Sequence, residues 1–525
     1  MPLPADVKAP WPPASEVDVQ RDITEADAWY SGDQNKLITF YGGPETTVKD
    51  TGWSRFWTRR STDNASGRQR IHVPAAADVA ATSADLLFGD EPRFVIPEAH
   101  EFDTDDDDTD PSDLQADETA KATEDRLAEL AEEDGWASTL LEGAEIAAAL
   151  GGVYLRPVWD PAVAPHPMLT IVHPDHAVPE WRWGKLVAVT FWREVLRDKD
   201  GVVWRHLERH EPGLILHGLY AGDADHLGLS RPLAENPDTA GLDEQVPLPE
   251  GIRLDVRYVK NALNRRHRGK PIGRPDTSGC ESLMDALDET ITAWMREIRL
   301  VKPRIIVPAE FLETGKRGKG KSFDVDAEVF SPLEMDPANQ EKAGITVAEF
   351  DLHTEKYAAT CMDLFERIVV TAGYSPQSFG LHGDGAEQTA TEVSAREDRS
   401  TRTTGRKQGY WRRPLEDVLE MLLIIDATVF SSKVVPMRPR VDFIDPDEST
   451  PSEIGSVLNL IKLAEAASIQ ERVRMLHPDW EEPQILAEAQ RIKDETGVDM
   501  VPDPTGFPPD GPPAGDKADA DAGVA

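Results

Sequence analysis

Residues 283–308 read LMDALDETITAWMREIRLVKPRIIVP, and residues 352–372 read LHTEKYAATCMDLFERIVVTA. In the first stretch Leu283, Leu287, Ile291, Trp294 and Ile298 recur every three or four residues, the spacing of one helical face. The period predicts a helix over 278–302, ended by Pro303. In the second stretch Tyr357, Cys361, Leu364, Phe365 and Ile368 share a face and predict a helix over 352–372. Between them RIIVP (304–308), SFDVDAEVF (322–330) and ITVAEFD (345–351) alternate with the period of two that marks strands. Two helices, each roughly 30–37 Å long at 1.5 Å per residue, thus bracket a β-rich insertion of about fifty residues.

Working outward, the order of parts is α+β. Residues 1–14 hold five prolines and read as an irregular arm. A helix is expected from Ser15 to about Tyr30 and another over 74–88, followed by a short strand in RFVIP (93–97). Residues 98–134 carry 17 acidic residues against Lys121 and Arg126, and 98–118 reads as a solvated acidic loop. A calcium loop is disfavoured because the EF-hand spacing is absent. A helix over 118–150 is expected to stop at Gly151-Gly152. VYLRPVW, LTIV, LVAVTFWREV, VVWRHLE and LILHGLY between 153 and 220 predict an antiparallel meander, followed by a Pro/Asp-rich loop over 231–250. The glycine-rich loop 374–388 leads into a long helix, 389–430, in which Pro414 predicts a break or kink near Tyr410–Arg413. Residues 452–496 read as helical with an interruption at His477-Pro478, and the composition of 499–525 predicts disorder.

The chain has 525 residues, enough for roughly three domains. Its 56 Lys and Arg against 96 Asp and Glu give a net charge of −40, which excludes a protein that wraps nucleic acid over its whole surface. Two cysteines, Cys280 and Cys361, exclude a disulfide framework and a cysteine-based zinc site. No apolar run approaches the roughly 20 residues of a membrane helix. The opening MPLPADVKAPWPP lacks the basic and apolar regions of a secretory signal, so a soluble intracellular chain with no membrane partner is expected.

Gly315-Lys-Arg-Gly-Lys-Gly-Lys-Ser322 matches the phosphate-cradling pattern GxxxxGK[ST] letter for letter. That loop works only when a helix begins at its Lys-Ser, and here Phe323, Val325, Ala327 and Val329 continue with strand spacing. A basic hairpin tip is the better reading. Lys316, Arg317, Lys319 and Lys321 then form a local cationic cluster suited to contacting a phosphate backbone without reading sequence. His206 and His210 in HLERH fall in the meander and read as structural or surface histidines, with no third metal ligand nearby. Arg396, Arg399, Arg402, Arg406, Lys407, Arg412 and Arg413 read as a solvated helix face or as salt-bridge partners, with a partner- or DNA-facing basic surface as the sharper alternative. Arg265, Arg266, Arg268 and Lys270 form a further basic cluster. No acid, base and nucleophile assemble, so neither an enzyme nor a cofactor is expected.

The pieces AWYSGD, VPAAADVAATSADLLFGDEP, GGVYLRPVWD, RYVKNALNRRHRGKPIGRPDTSG, AGYSPQSFGLHGDGAEQTATEVSAREDRS, YWRRPLEDVLEMLL and RVRMLHPDW, in this order from about Trp29 to Gly497, resemble the portal proteins of tailed bacteriophages, the head-to-tail connectors of siphophages. They look most like portals of phages that infect actinobacteria. The resemblance implies a wing over 15–277 containing the acidic loop, stem helices 278–302 and 352–372, and a β-rich clip at 303–351. It also implies a tunnel loop at 373–388, a kinked helix with the return to the wing at 389–439, a helical crown at 440–497 and an acidic tail at 498–525. It implies a homo-oligomeric ring, usually of twelve, at one capsid vertex of the virion, assembled in the host cytoplasm. Duplex DNA would pass through the ring without sequence-specific contact. Its partners would be the major capsid protein, the terminase large subunit during packaging and a head–tail adaptor afterwards. On these expectations Lys316, Arg317, Lys319 and Lys321 serve docking or DNA contact, while Leu381, His382, Gly383, Asp384 and Gly385 approach the duplex and Pro414 marks the helix kink. The rival readings are a packaging ATPase, resting on Gly315–Ser322, and a minor capsid protein without a channel.

Overall fold

The computed structural model describes residues 3–4, 8–41, 71–97, 111–300, 304–306, 313–314, 321–322, 346–348, 352–381, 390–443, 461–462, 467–476 and 482–496. The chain divides into two units, 1–443 and 444–525.

The first unit opens with helices α1 (Val17–Ser31), α2 (Gln34–Tyr41) and α3 (Ala75–Phe88), then strand β1 (Arg93–Val95). Helices α4 (Pro111–Glu133) and α5 (Trp136–Leu150) follow. The expected acidic loop is therefore corrected at its end: the helix begins at Pro111, and 111–118 are helical. Proline presets the backbone angle of a first helical turn. The single helix over 118–150 is also corrected, because Asp134 and Gly135 interrupt it, with Gly135 left-handed at φ 64°. At the far end of α5 the Gly151 N–H bonds Ala147 O at 2.8 Å, and Gly151 takes φ 98°, a cap that a side chain would strain.

Strands β2 (Gly152–Val158), β3 (Met168–Val172), β4 (Ala177–Arg182), β5 (Lys185–Arg197), β6 (Val203–Glu211), β7 (Leu214–Gly222), β8 (Leu229–Arg231), β9 (Gln245–Pro247) and β10 (Arg257–Lys260) are all paired antiparallel. They form two sheets and not one meander. The order β10-β2-β3 makes a three-stranded sheet, and β4 to β8 with β9 make a six-stranded one. The division follows from β10, which returns from about a hundred residues downstream to pair Val259 with Val153. The expected loop over 231–250 also contributes β9, which pairs with β7. Central β2 is buried along Gly152–Leu155, which is why GVYL is continuously apolar where an exposed-edge strand would alternate.

Next come α6 (Glu281–Leu300), β11 (Arg304–Ile306), β12 (Glu313–Thr314), β13 (Lys321–Ser322), β14 (Thr346–Ala348), α7 (Thr354–Ala372), α8 (Ala390–Thr428) and β15 (Arg440–Asp442). Helix α8 runs through Pro414, so the expected break is absent. Trp411, Leu415, Val418, Leu419 and Leu422 are buried along it, and their packing outweighs the roughly 3 kcal/mol that an internal proline costs. The main core gathers α3, α5, α8, β2 and β3, with Trp411 edge-on to Phe88 at 4.9 Å between ring centroids. Strand β15 pairs with β1 and belongs to the first unit, although the expected crown began at residue 440. In the second unit α9 (Ile469–Leu476) and α10 (Glu482–Thr496) pack through Val473, Ile485 and Ala489.

Candidate functional site: a helical hairpin and its anchor

Helices α6 and α7 lie antiparallel. Cys280 Sγ reaches Ile368 O at 3.8 Å, the Trp294 and Tyr357 rings lie parallel with centroids 6.1 Å apart, and Glu297 Oε1 meets His353 Nδ1 at 3.1 Å. Beyond their far ends β11 pairs with β14, Arg304 opposite Ala348, and the inner strands β12 and β13 form a second ladder. The predicted helices and the strands at 304–306 and 346–348 are present, while the strand expected over 322–330 lies, beyond Ser322, outside the described residues.

Burial along the hairpin is one-ended. Cys280, Met284, Leu287 and Asp288 are buried at the start of α6, and Ile368, Val369 and Ala372 at the end of α7. Over 289–298 and 354–367 no residue is buried, although Ile291, Trp294, Leu364 and Phe365 form a half-covered apolar stripe. Ile298 is 41% and Met362 52% exposed. The distal half therefore has an amphipathic sequence that the described residues cover only in part, Ile71 donating its N–H to Thr292 Oγ1 at 3.0 Å and Phe379 packing on Phe365. Both helices are net acidic, with five acids against two bases in α6 and three against two in α7.

The base of the hairpin is fixed by buried polar groups. Lys407 Nζ on α8 donates to Asp276 Oδ2 and to Ser83 Oγ on α3, both at 2.6 Å. Tyr374 OH donates to Asp276 Oδ2 at 2.8 Å and Asn261 Nδ2 to Oδ1 at 2.8 Å. Burial pulls the Lys407 pKa below the ordinary lysine value, with Asp276 opposing that shift. The turn that ends α7 is left-handed at Gly373 (φ 110°), whose carbonyl accepts from Thr403 Oγ1 of α8 at 2.7 Å. Along α6 the segment 71–73 is held by Asp288, which accepts from Val73 N at 2.8 Å and lies 2.9 Å from His72 Nδ1.

Several residues singled out in the sequence can now be placed. Lys321 stands in β13 opposite Thr314, while Lys316, Arg317 and Lys319 lie outside the described residues. Leu381 is half-buried, its N–H on Pro376 O at 3.2 Å, and His382, Gly383, Asp384 and Gly385 lie outside the described residues. The basic series on α8 splits. Arg399, Arg402, Arg406, Arg412 and Arg413 are exposed, whereas Lys407 faces inward and forms a buried salt bridge with Asp276. Arg266 pairs with Glu281 at 2.9 Å and Lys270 with Glu16 at 2.9 Å, so that cluster is partly neutralised within the subunit.

His206 and His210 are structural and deeply buried. His210 Nδ1 sits 2.8 Å from Asp255 and Nε2 2.9 Å from Glu208, an arrangement in which both ring nitrogens must carry protons. Burial pushes His210 down, but the Asp255 and Glu208 carboxylates outweigh it and raise its pKa to about 9. Burial likewise pulls His206 down to about 4. A histidine whose folded pKa exceeds its unfolded value stabilises fully below about 6.5 and loses that contribution as pH rises through about 9. Urea unfolding should therefore show up to about 3 kcal/mol less stability at pH 9.5 than at pH 6.5 from this group, and His210→Gln should flatten that slope. An unchanged slope in the variant would remove His210 from the account. Among the described residues no group of three or more His, Cys, Asp or Glu is placed to hold a metal, and no helix is long and apolar enough to cross a membrane.

A family model described as "Phage portal protein, SPP1 Gp6-like" matches residues 18–499. The chain belongs to this portal family. It is a structural component of the bacteriophage virion, a head–tail connector. Among solved structures the portal is similar to a chain from "Neck of native GTA particle computed with C12 symmetry", at 12% identity over 65% of this chain and 79% of that chain, with a TM-score of 0.31. No curated protein matches it.

Proposed function

We propose that the portal closes into a ring of about twelve copies at one capsid vertex, with the α6–α7 hairpins side by side as a stem around a channel for duplex DNA. The observation that carries this reading is the one-ended burial of the hairpin: among the described residues its distal half buries none, its apolar stripe is only half-covered, and Ile298 and Met362 stand exposed where the same helix pair of a neighbouring copy would cover them. Helix α6, with 20 residues, reaches about 30 Å. Net acidic stem helices would repel a polyanion and so let DNA slide, while local cations would centre it. In this reading the segment 303–351 is the clip. Lys316, Arg317, Lys319 and Lys321 there contact phosphates or dock the terminase large subunit and later the adaptor. Leu381 to Gly385 crowd the duplex more by bulk than by charge, and 15–277 meets the major capsid protein as the wing. Native mass spectrometry of the full chain should give one closed species near twelve times the subunit mass. A monomer would contradict the ring and favour a minor capsid protein.

A nucleotide-binding role is disfavoured because Lys321-Ser322 forms strand β13 where a phosphate loop needs a helix N-terminus. ATP titrated into the purified chain should bind no more tightly to the parent than to Lys321→Ala. Tight binding lost in that variant would restore the ATPase reading.

A further inference from the structure

A cleft of about 980 Å³ lies between the β4–β5 turn, the approach to β10, and the middle of α8. Its cations are Arg182, Lys185, Arg253, Arg257, Lys260 and Arg413, and its single acid is Asp417. Asp417 is taken up by Arg257 at 2.8 Å and by Arg438 at 2.7 Å, and Lys260 stands over the Tyr410 ring at 4.5 Å. Among the described residues Arg182, Lys185, Arg253 and Arg413 have no ion-pair partner. Four unanswered cations in one place are unexpected in a chain of net charge −40.

The rim of the cleft adds an independent observation. Arg182 pairs with Lys185 across a two-residue turn, in which Trp183 and Gly184 both have positive φ, 52° and 72°. Such turns ordinarily take Asn, Asp or Gly at the first position, because a bulky side chain is strained there. Trp183 is nevertheless placed at that position and is 95% exposed. Strain and a bare indole bring the isolated subunit nothing, and strained outliers cluster where a surface is used. Trp, Tyr and Arg, all present here, are the residue types that dominate protein–protein contacts.

We propose that this cleft receives an acidic face of a second copy of this chain. The inference rests on the ring reading above. A ring joins two different faces of the same chain, and copies of charge −40 repel unless a cationic face meets an acidic one. The exposed side of α4 offers such a face, with Glu118, Asp125 and Glu132 against Lys121, beside Glu129 and Glu133, which Arg126 of the same helix engages at 3.1 and 3.9 Å. Duplex DNA matches the charge but presents stacked bases behind phosphates, with no seat for an exposed indole.

The test compares full-length parent, Trp183→Ala, Arg182→Glu/Lys185→Glu and a control, Lys199→Glu on another exposed turn, by mass photometry over a dilution series. Circular dichroism confirms that each is folded. Both cleft variants should dissociate at concentrations roughly 30-fold or more above the parent, and the control should match the parent. Cleft variants that assemble like the parent, or a control that fails equally, would overturn this inference and leave the ring intact. Normal rings that instead lose retention of duplex DNA would assign the cleft to nucleic acid and overturn it too. A parent that never assembles would refute the ring reading itself.

Discussion

Lys407→Met is expected to lower the stability of the first unit by about 3–5 kcal/mol, because it leaves Asp276 charged and buried without its cation. Lys407 and Asp276 are 5% and 3% exposed, so water cannot replace the lost partner. Asp276 also accepts from Tyr374 and Asn261, and these neutral donors cannot balance its charge. The loss should spread to the hairpin base, since Tyr374 follows the turn that ends α7. Urea unfolding followed by tryptophan fluorescence reads the effect. Combining Lys407→Met with Asp276→Asn should recover part of it, because the orphaned charge is gone. A loss below about 1 kcal/mol in the single variant would show that the pair is not the anchor described here.

Met362→Asp and Ile298→Asp are expected to do the reverse. Both positions lie on the distal half of the hairpin, Ile298 41% and Met362 52% exposed, so subunit stability should change by no more than about 0.5 kcal/mol. If neighbouring hairpins cover these residues in the ring, each substitution places a carboxylate in every subunit contact. Assembly should then weaken by at least about 100-fold in the concentration needed. Leu287→Asp is the contrasting variant. Leu287 is 2% exposed at the base of α6, and its replacement should unfold the hairpin base itself. Mass photometry beside denaturant titration separates the two effects. Distal variants that assemble normally would remove the stem contact from the account.

The hairpin was legible because both helices are amphipathic, and an apolar stripe at helical spacing is the strongest local signal a sequence carries. The anchor was not legible, because Asp276 and Lys407 are 131 positions apart and only the folded chain joins them. One sign was available for Lys407: it shares the helical phase of Thr403, Trp411 and Leu415, all of which are buried. A cation in phase with a buried stripe points inward. The break expected at Pro414 failed for the same reason, since the stripe continues on both sides of the proline and packing decides the outcome. The division of the strands into two sheets depended on β10, a four-residue strand whose partner no local pattern identifies. His210 belongs with these long-range cases, as Asp255 lies 45 residues away.

The most direct test of the central claim is an electron cryomicroscopy reconstruction of the assembled full-length chain. The account predicts a closed ring in which the α6–α7 pairs stand side by side around a central hole wide enough for duplex DNA. Rings with those pairs splayed outward, or particles without a central hole, would contradict it.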